Sequence, residues 1–262
     1  MPRLTTGGPQ LAPTPSPKTD FTTNRLLRVL RIEEHALVGP HIFLKRLRRN
    51  QTLFEPGDEV ETTYFPCQGT VGSFLIVSLS GREVQAATIG WEGAIGGIVS
   101  CGSKPAYCRA VVQIGGPAYA LATARLEEAK QRSPLLHDIF SRYADSLLAQ
   151  VMQSVACNAL HSAEARCARW LLATQDRVRG PLLPLTHEAL AEMLGVRRTT
   201  VTSIAVQLQA SGLIHYSRGR IEILNRRGLA RVACECYSAV AAHADRLLPH
   251  HTSELIRGQQ AR

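Results

Sequence analysis

The stretch from Leu185 to Leu224 restricts the fold more than any other part of the chain. Thr186 is a helix N-cap candidate, because its short polar side chain precedes an apolar pattern at helical spacing that ends at Leu194. Gly195 can adopt the left-handed backbone that ends many helices, so a second helix can begin at once and cross the first. A strand, a glycine turn and a returning strand follow. The stretch therefore predicts two crossing helices and a β-hairpin.

The second helix of this stretch has one apolar face and one cationic, hydroxyl-rich face. Its apolar positions repeat every three or four residues from Val201 to Leu208, which leaves the polar side chains on the opposite face and at the N-terminal end. Such a helix can lie in the major groove of DNA, with its Arg and hydroxyl groups at base edges and phosphates. We predict that the base-reading residues are Arg197, Arg198, Thr199, Thr202 and Ser203. We predict that the phosphate contacts are Thr186, Thr200, Arg218 and Arg220.

Charge favours a nucleic-acid partner over the alternative, which is an ordinary helical hairpin in a globular core. Seven Arg and one acid, Glu222, lie between Arg197 and Arg231, so this segment carries a net charge of about +6 out of +9 for the chain. A membrane surface is the other polyanion to consider, but no separate basic amphipathic helix is evident in the sequence. We therefore predict binding to double-stranded DNA and no membrane partner.

Length and composition allow two globular units, since the chain has 262 residues and is 45% hydrophobic. No apolar run approaches membrane-spanning length and the N-terminus lacks the apolar region of a secretory signal, so we expect a cytoplasmic protein. The seven Cys are odd in number and irregularly spaced, which favours reduced thiols. Cys234 and Cys236 are too closely spaced for the usual zinc pair, and no second pair nearby completes a tetrahedron. We expect them to be small buried hydrophobic side chains, with no metal site.

The rest of the chain divides into segments that differ in composition and in the spacing of Gly and Pro. Residues 1–20 are rich in Pro and predict a disordered tail. Residues 21–134 begin with a short helix, capped at Thr23 or Asn24 and reaching Val38, and continue as short strands broken by Gly or Pro about every ten to thirteen residues. The predicted segments that follow are a long helix at 135–160, a DNA-binding unit at 161–245 after a hinge near His161, and a tail at 246–262.

The long helix carries one apolar stripe. The stripe can pack entirely on the chain's own strands, or it can pair two subunits, and we favour dimerisation because a helix of this length that links two domains is a common place for subunits to meet. The predicted interface residues are Leu136, Phe140, Tyr143, Leu147, Val151 and Val155.

Strands, a long helix and a winged helix-turn-helix in this order resemble the Crp/Fnr family of bacterial transcription regulators, over about residues 25–240. The residues that carry the resemblance are Pro56-Gly57 in LFEPGDEVETTYFPCQGTVGSF, Gly81 in SLSGREV, the stretch LTHEALAEMLGVRRTTVTSIAVQLQASGLI, and YSRGRIEI. The resemblance implies an α+β fold with an N-terminal antiparallel β-roll like a cyclic-nucleotide-binding domain. It also implies a homodimer on a roughly palindromic site, RNA polymerase as a partner, and a guanine-reading role for Arg198, whereas Thr199 and Ser203 depart from the cyclic-AMP receptor pattern.

The resemblance also shows what this sequence lacks. Members that bind cyclic AMP use a Gly-Glu pair and an Arg-Ser pair, and neither is found in the corresponding stretch. We therefore expect a degenerate effector pocket with an unknown small-molecule effector, lined by Gly93, Gly96, Gly97, Lys104 and Arg109. Family members that sense oxygen hold an iron–sulfur cluster through Cys near the N-terminus, but the first Cys here is Cys67. We expect no cofactor.

The predicted function is sequence-specific DNA binding for transcription regulation, without control by cyclic AMP. Two alternatives remain: an architectural protein that binds DNA without sequence preference, and a thiol-responsive regulator that uses Cys101 or Cys108. An enzyme is a third class, but the sequence has no nucleophile elbow, phosphate loop or paired metal motif, so we predict no catalytic residues.

Overall fold

A computed structural model describes residues 21–79, 81, 83–97, 105–178 and 180–248. The predicted N-terminal tail, Cys101, Lys104 and the chain beyond Leu248 lie outside these ranges. Among the residues described, every helix is too short or too polar to cross a membrane.

The strands and helices are numbered in chain order. The strands are β1 (Phe43–Leu47), β2 (Thr52–Phe54), β3 (Thr62–Pro66), β4 (Val71–Val77), β5 (Glu83–Ile89), β6 (Arg109–Ile114), β7 (Gly116–Ala122), β8 (Leu182–Leu183), β9 (Ile214–Ser217) and β10 (Arg220–Ile223). The helices are α1 (Arg25–Arg28), α2 (Ile32–Val38), α3 (Thr123–Arg132), α4 (Pro134–Leu160), α5 (Ala163–Val178), α6 (His187–Leu194), α7 (Arg198–Ala210), α8 (Arg226–Val232) and α9 (Cys236–Leu247). Short 3₁₀ turns lie at Phe21–Thr23 and Gly39–His41.

The first seven strands form two antiparallel sheets, in the orders β1-β7-β3 and β2-β6-β4-β5. Alternating apolar side chains such as Ile89, Ala110 and Val112 point between the sheets and form a buried core. This arrangement confirms the predicted α+β fold with an N-terminal antiparallel roll. The strand breaks fall at the Gly positions that the sequence marks, including Gly57 and Gly69, both with φ of +91°.

The N-terminal helical segment differs from the single helix predicted to reach Val38. Asn24 is the N-cap, as expected, and its side chain accepts hydrogen bonds from the backbone N–H groups of Leu26 and Leu27. It also donates to the carbonyl of Pro66 at 2.9 Å, which fixes α1 against the roll. The helix ends after one turn, and α2 starts afresh because Arg31 has extended backbone and Glu34 caps its N–H.

The long helix α4 spans 27 residues from Pro134 to Leu160. Ser133 caps its N-terminus by accepting from the backbone N–H of Leu136 at 3.2 Å. The helix ends at the predicted hinge, where His161 has extended backbone and Ser162 accepts a hydrogen bond from the backbone N–H of Ala165 in α5. The break between two helices that was predicted near His161 is therefore present.

The predicted dimer interface was wrong for three of its six residues. Leu136, Phe140 and Tyr143 are 1%, 3% and 4% exposed and lie in the chain's own core. The β-roll covers this face of α4, so the alternative of packing within the chain holds for its N-terminal half. The large apolar side chains that stay exposed on the C-terminal half of α4 are Leu148, Met152, Val155 and Leu160.

The remaining elements form a second core around α5, α6, α7 and α8. Trp170, Leu171, Leu190, Ile204 and Leu229 are among its buried side chains. A small antiparallel sheet in the order β8-β10-β9 closes one side, and β8 is an additional strand that the sequence pattern did not reveal. The last helix, α9, continues to Leu247, inside the segment predicted to be a tail.

Candidate nucleic-acid interface

The corner between α6 and α7 follows from local sequence chemistry. Thr186 caps α6 by accepting a hydrogen bond from the backbone N–H of Ala189 at 3.2 Å. Gly195 ends α6 with φ +64° and ψ +33°. This left-handed backbone conformation is unfavourable for residues with a Cβ atom but not for glycine. Val196 follows, half-buried against the second core, and its N–H donates to the carbonyl of Ala191 at 3.0 Å. The corner is therefore built as the sequence predicts.

One face of α7 is exposed and polar. Its inner face buries Val201, Ile204, Ala205 and Leu208 in the second core. The predicted base-reading residues are all exposed and lie together at the N-terminal end and outer face of the helix: Arg197, Arg198, Thr199, Thr202 and Ser203. The exposed side chain of Val206 continues this face with an apolar group that could meet a thymine methyl.

Two hydroxyls on this face already make hydrogen bonds within α7. Thr202 Oγ1 donates to the carbonyl of Arg198 at 3.0 Å, and Ser203 Oγ donates to the carbonyl of Thr199 at 3.2 Å. Each hydroxyl has thereby used its single proton, but its oxygen can still accept a hydrogen bond from a base amino group. The Arg198 side chain is exposed at the start of α7, so its guanidinium can reach a groove contact.

The hairpin of β9 and β10 forms a wing beside α7. Its two turn residues, Arg218 and Gly219, both have positive φ, at +47° and +76°, as the tightest hairpin turns require. Arg218 and Arg220 are exposed at this turn. The Gln209 side chain accepts a hydrogen bond from the backbone N–H of Tyr216 at 2.9 Å, which joins the wing to α7. The other two predicted phosphate contacts, Thr186 and Thr200, are half-buried at the starts of α6 and α7.

Sequence reasoning missed His187, the first residue of α6. Its ring stacks on Tyr216 of the wing with centroids 3.9 Å apart, and its Nδ1 lies 3.2 Å from Thr202 Oγ1 of α7. Burial lowers the pKa of His187, and the positive charge of Arg198 lowers it further. A neutral His187 therefore connects α6, α7 and the wing. Its position directly after an N-cap was the available signal, but the contact depends on the folding of the wing.

The comparisons with known proteins agree with this geometry. Residues 165–232 match the model of the Crp-like helix-turn-helix domain. The structure superposes on FixK2 from Bradyrhizobium japonicum with a TM-score of 0.63, at 18% identity, covering 74% of this chain and 98% of that one. Residues 165–232 are therefore a Crp-like helix-turn-helix domain. A Crp family regulator from Thermus thermophilus is similar in fold, with a TM-score of 0.59 at 21% identity over 72% of this chain and 96% of that one.

The chain is also similar to curated proteins. The global nitrogen regulator of a Nostoc species is 25% identical over 190 residues, which cover 69% of this chain and 84% of the relative. These similarities support a transcription regulator of the Crp/Fnr type.

The effector region of the regulator is occupied by its own side chains. Arg109 Nε lies 2.8 Å from Glu55 Oε2, and its Nη1 pairs with Glu83. A Cβ added to Gly93 would lie 2.3 Å from Tyr143 Oη, and that hydroxyl donates to the carbonyl of Ala94 at 3.0 Å. Tyr143 of α4 therefore closes the predicted pocket at Gly93. The positive charge of Arg109 is neutralised by the carboxylates of Glu55 and Glu83.

The other predicted pocket glycines are equally enclosed. A Cβ on Gly96 would lie 2.8 Å from Val60, and one on Gly97 would lie 2.3 Å from Thr63 Oγ1. Both residues have positive φ, so the backbone conformation also requires glycine. These glycines serve the close packing of the loop after β5 against the roll.

A separate cavity of about 280 Å³ lies where β5, α4, α5 and α9 meet. Trp91, Gln150, Arg169, Trp170 and Tyr237 are among its lining residues. The cavity is formed by both halves of the regulator, so a molecule bound there would contact the roll and the helix-turn-helix domain together.

The interpretation of Cys234 and Cys236 as remote from other ligand-type side chains was wrong. Cys157 and His161 at the C-terminal end of α4 lie beside them, and one ligand atom from each of the four residues lies within 4.8 Å of all the others. Pairs that are more than seventy positions apart in the chain meet here because α9 packs on α4. Linear spacing alone could not show this cluster.

Proposed function

We propose that this regulator binds a roughly palindromic DNA site as a homodimer and controls transcription without cyclic AMP or cyclic GMP. The observation that supports this most strongly is the common exposed face formed by Arg197, Arg198, Thr199, Thr202 and Ser203 beside a basic wing. A face with cationic and hydroxyl groups at the N-terminal end of a helix matches the geometry with which helix-turn-helix proteins read the major groove.

In this proposal the two halves of the interface have different roles. Arg198 reads a guanine edge, with its neighbours on α7 reading adjacent bases, whereas Arg218 and Arg220 contact phosphates on the flanking backbone. Thr186 and Thr200 add phosphate contacts at the starts of α6 and α7. The proposed base-reading residues lie on one helix, and the proposed phosphate contacts lie around it. This arrangement favours sequence-specific binding over binding by charge alone.

Dimerisation in this proposal uses the outer face of the C-terminal half of α4. Leu148, Met152 and Val155 are 56%, 64% and 68% exposed and recur at spacings of four and three residues, so they form one apolar stripe. Of the predicted interface, Val155 belongs to this stripe, whereas Leu147 and Val151 pack partly against the roll. A dimer places two copies of α7 at the half-sites of a palindrome.

Independence from cyclic nucleotides is supported by the contacts in the effector region. A cyclic phosphate needs an unpaired cation and backbone N–H groups, but Arg109 is held by Glu55 and Glu83. A thiol-responsive regulator is less well supported, because burial raises the pKa of the Cys108 thiol and so lowers its thiolate fraction.

We further propose that residues 21–134, 135–160 and 161–245 are the sensor domain, the dimerisation helix and the DNA-binding domain. We also propose that the protein acts in the cytoplasm, has RNA polymerase as a partner and has no catalytic role. The separate cores of the roll and of the helix-turn-helix domain support this division.

Genome-wide DNA binding followed by isotherms on the recovered site tests the proposal. We expect affinity for the recovered site to exceed affinity for random DNA by roughly 10³-fold or more. A ratio near one would contradict sequence-specific regulation and favour the architectural alternative.

A further inference from the structure

The cluster of Cys157, His161, Cys234 and Cys236 lies outside the DNA interface and the effector region. Cys157 and His161 are one helical turn apart at the end of α4, whereas Cys234 precedes α9 and Cys236 is its first residue. We propose that these four side chains bind one Zn²⁺ ion, which connects the end of α4 to the start of α9.

The distances in the cluster fit a single tetrahedral ion. Zn–S bonds of about 2.3 Å and Zn–N bonds of about 2.0–2.1 Å place neighbouring ligand atoms of a tetrahedron roughly 3.5–3.8 Å apart. Cys157 Sγ lies 3.5 Å from Cys234 Sγ, and Cys236 Sγ lies 3.5 Å from His161 Nδ1. All four ligand atoms lie within 4.8 Å of one another, which suits one ion better than an iron–sulfur cluster, whose several irons hold their thiolates farther apart.

The surroundings of the cluster orient its ligands. His161 Nε2 lies 3.0 Å from Glu235 Oε1, so the carboxylate accepts the ring proton there and leaves Nδ1, which faces Cys236, as the metal ligand. A carboxylate on the far nitrogen of a ligating His is the usual outer contact of zinc sites. Gln153 Nε2 donates to Cys236 Sγ at 3.0 Å, and the N-terminus of α9 adds positive potential at the same sulfur.

Burial and ligand number indicate a structural site. Cys157 and Cys236 are fully buried, and Cys234 is 7% exposed. Three Cys and one His fill the four positions of a tetrahedron and leave none for water or substrate, as in structural zinc sites. Buried thiols that act only as small hydrophobic groups would not need a His whose ring is held by a carboxylate.

The site would fix the position of the helix-turn-helix domain relative to α4. The chain between Cys157 and Cys236 contains the hinge, α5, α7 and the wing, so the ion would close a loop around the DNA-binding elements. This consequence for DNA binding rests on the proposed function, but zinc binding itself does not. The metal content is therefore measured without DNA.

The experiment uses the full chain, purified under reducing conditions without a polyhistidine tag. We expect roughly one zinc per chain by elemental analysis. After removal of zinc, Co²⁺ should produce thiolate-to-metal charge-transfer absorption and the intense visible bands of tetrahedral cobalt. The Cys157→Ser and Cys236→Ser variants should lose this absorption, whereas Cys167→Ala should keep it, because that thiol is buried in α5 away from the cluster.

Two further variants keep the test decisive if the Ser variants do not fold. His161→Cys retains four ligands, so it should bind Co²⁺ with a stronger charge-transfer band. Glu235→Ala should weaken zinc binding by roughly 10–100-fold in competition with a chelator, because it removes the outer contact of the His ligand.

Three results would overturn the zinc assignment. The first is reduced, folded wild-type protein that binds neither zinc nor cobalt. The second is a His161→Cys spectrum identical to that of the wild type. The third is a purified protein with bound iron and sulfide, or with a Cys157–Cys234 disulfide in place of a metal. A wild-type chain that binds one zinc but shows no preference for a specific DNA site would contradict the proposed function. It would not contradict the zinc assignment.

Discussion

Arg177 Nε donates a hydrogen bond to Glu92 Oε1 at 2.7 Å, which joins α5 of the helix-turn-helix domain to the loop after β5 of the roll. The same guanidinium donates to the carbonyl of Thr88 at 3.0 Å. Arg177 and Glu92 are only 12% and 24% exposed, so water screens this pair weakly. The pair is a direct contact between the two halves of the protein.

Removing this contact should weaken the association of the two halves. We expect Arg177→Met to lower the free energy of unfolding by roughly 1–3 kcal/mol, because Glu92 and the Thr88 carbonyl lose a buried donor. Urea denaturation of Arg177→Met, Glu92→Gln and the double variant measures the coupling. The matched control is Arg125→Met, which breaks an exposed pair with Glu128 and should cost at most about 1 kcal/mol. Equal losses for the two Arg variants would contradict the prediction.

The two classes of DNA contact should respond differently to substitution. Arg198→Ala should cost about 1–3 kcal/mol on the preferred site and relax base preference at one position per half-site, with little loss on random DNA. Arg218→Asn should weaken binding to both DNAs and lower the salt slope by about one unit per subunit, because it removes counterion release but no base information. Asn is chosen since it tolerates the positive φ at this turn.

Binding isotherms on both DNAs at several salt concentrations test this pair of variants. Equal losses on specific and random DNA for Arg198→Ala would reassign Arg198 to a phosphate contact. Base reading would then fall to Arg197, Thr199 or Ser203.

The revised dimer surface predicts which apolar residue on α4 matters. Met152→Asp should produce monomers at concentrations where the wild type is dimeric, because it places a charge in the middle of the exposed stripe. Sedimentation velocity measures the change. Leu160→Asp is the control, since Leu160 is also exposed but lies about 80° around the helix from Met152 and about 120–140° from Leu148 and Val155. A wild-type chain that stays monomeric at tens of micromolar would contradict the dimer.

Cyclic AMP and cyclic GMP should give no saturable binding at micromolar concentrations. The phosphate would have to displace Glu55 and Glu83 from Arg109, and the loop at Gly93 is closed by Tyr143. Isothermal titration calorimetry measures binding directly. Saturable heat that disappears in Arg109→Ala would show that the nucleotide opens this region.

His187 should make stability depend on pH below neutrality. Its pKa in the folded protein lies below its ordinary value of 6.5, so the unfolded chain binds its proton more readily. The stability associated with neutral His187 is fully present above pH 6.5 and is lost as the pH falls through the lowered pKa. Urea unfolding at several pH values should therefore show a smaller loss on the acid side for His187→Gln than for the wild type. An unchanged pH profile would contradict this assignment.

Some features of this protein were determined by sequence over short distances. Thr186 before a helical pattern, Gly195 at its end, and Arg218-Gly219 between two strands each have one backbone geometry that their chemistry favours. These preferences act within a few residues, so they could be inferred without the rest of the fold. The order of strands and helices and the polar face of α7 could also be predicted, because they too follow from patterns of neighbouring residues.

Other features depend on which elements pack together. The periodicity of α4 predicted an apolar stripe, but only the roll decided that Leu136, Phe140 and Tyr143 face inward and that Met152 stays exposed. Cys157 and His161 approach Cys234 and Cys236 only because α9 lies along α4. Local sequence fixes the spacing of side chains along one element, whereas contacts between distant elements are set by the total burial of apolar surface, which the tertiary structure alone decides.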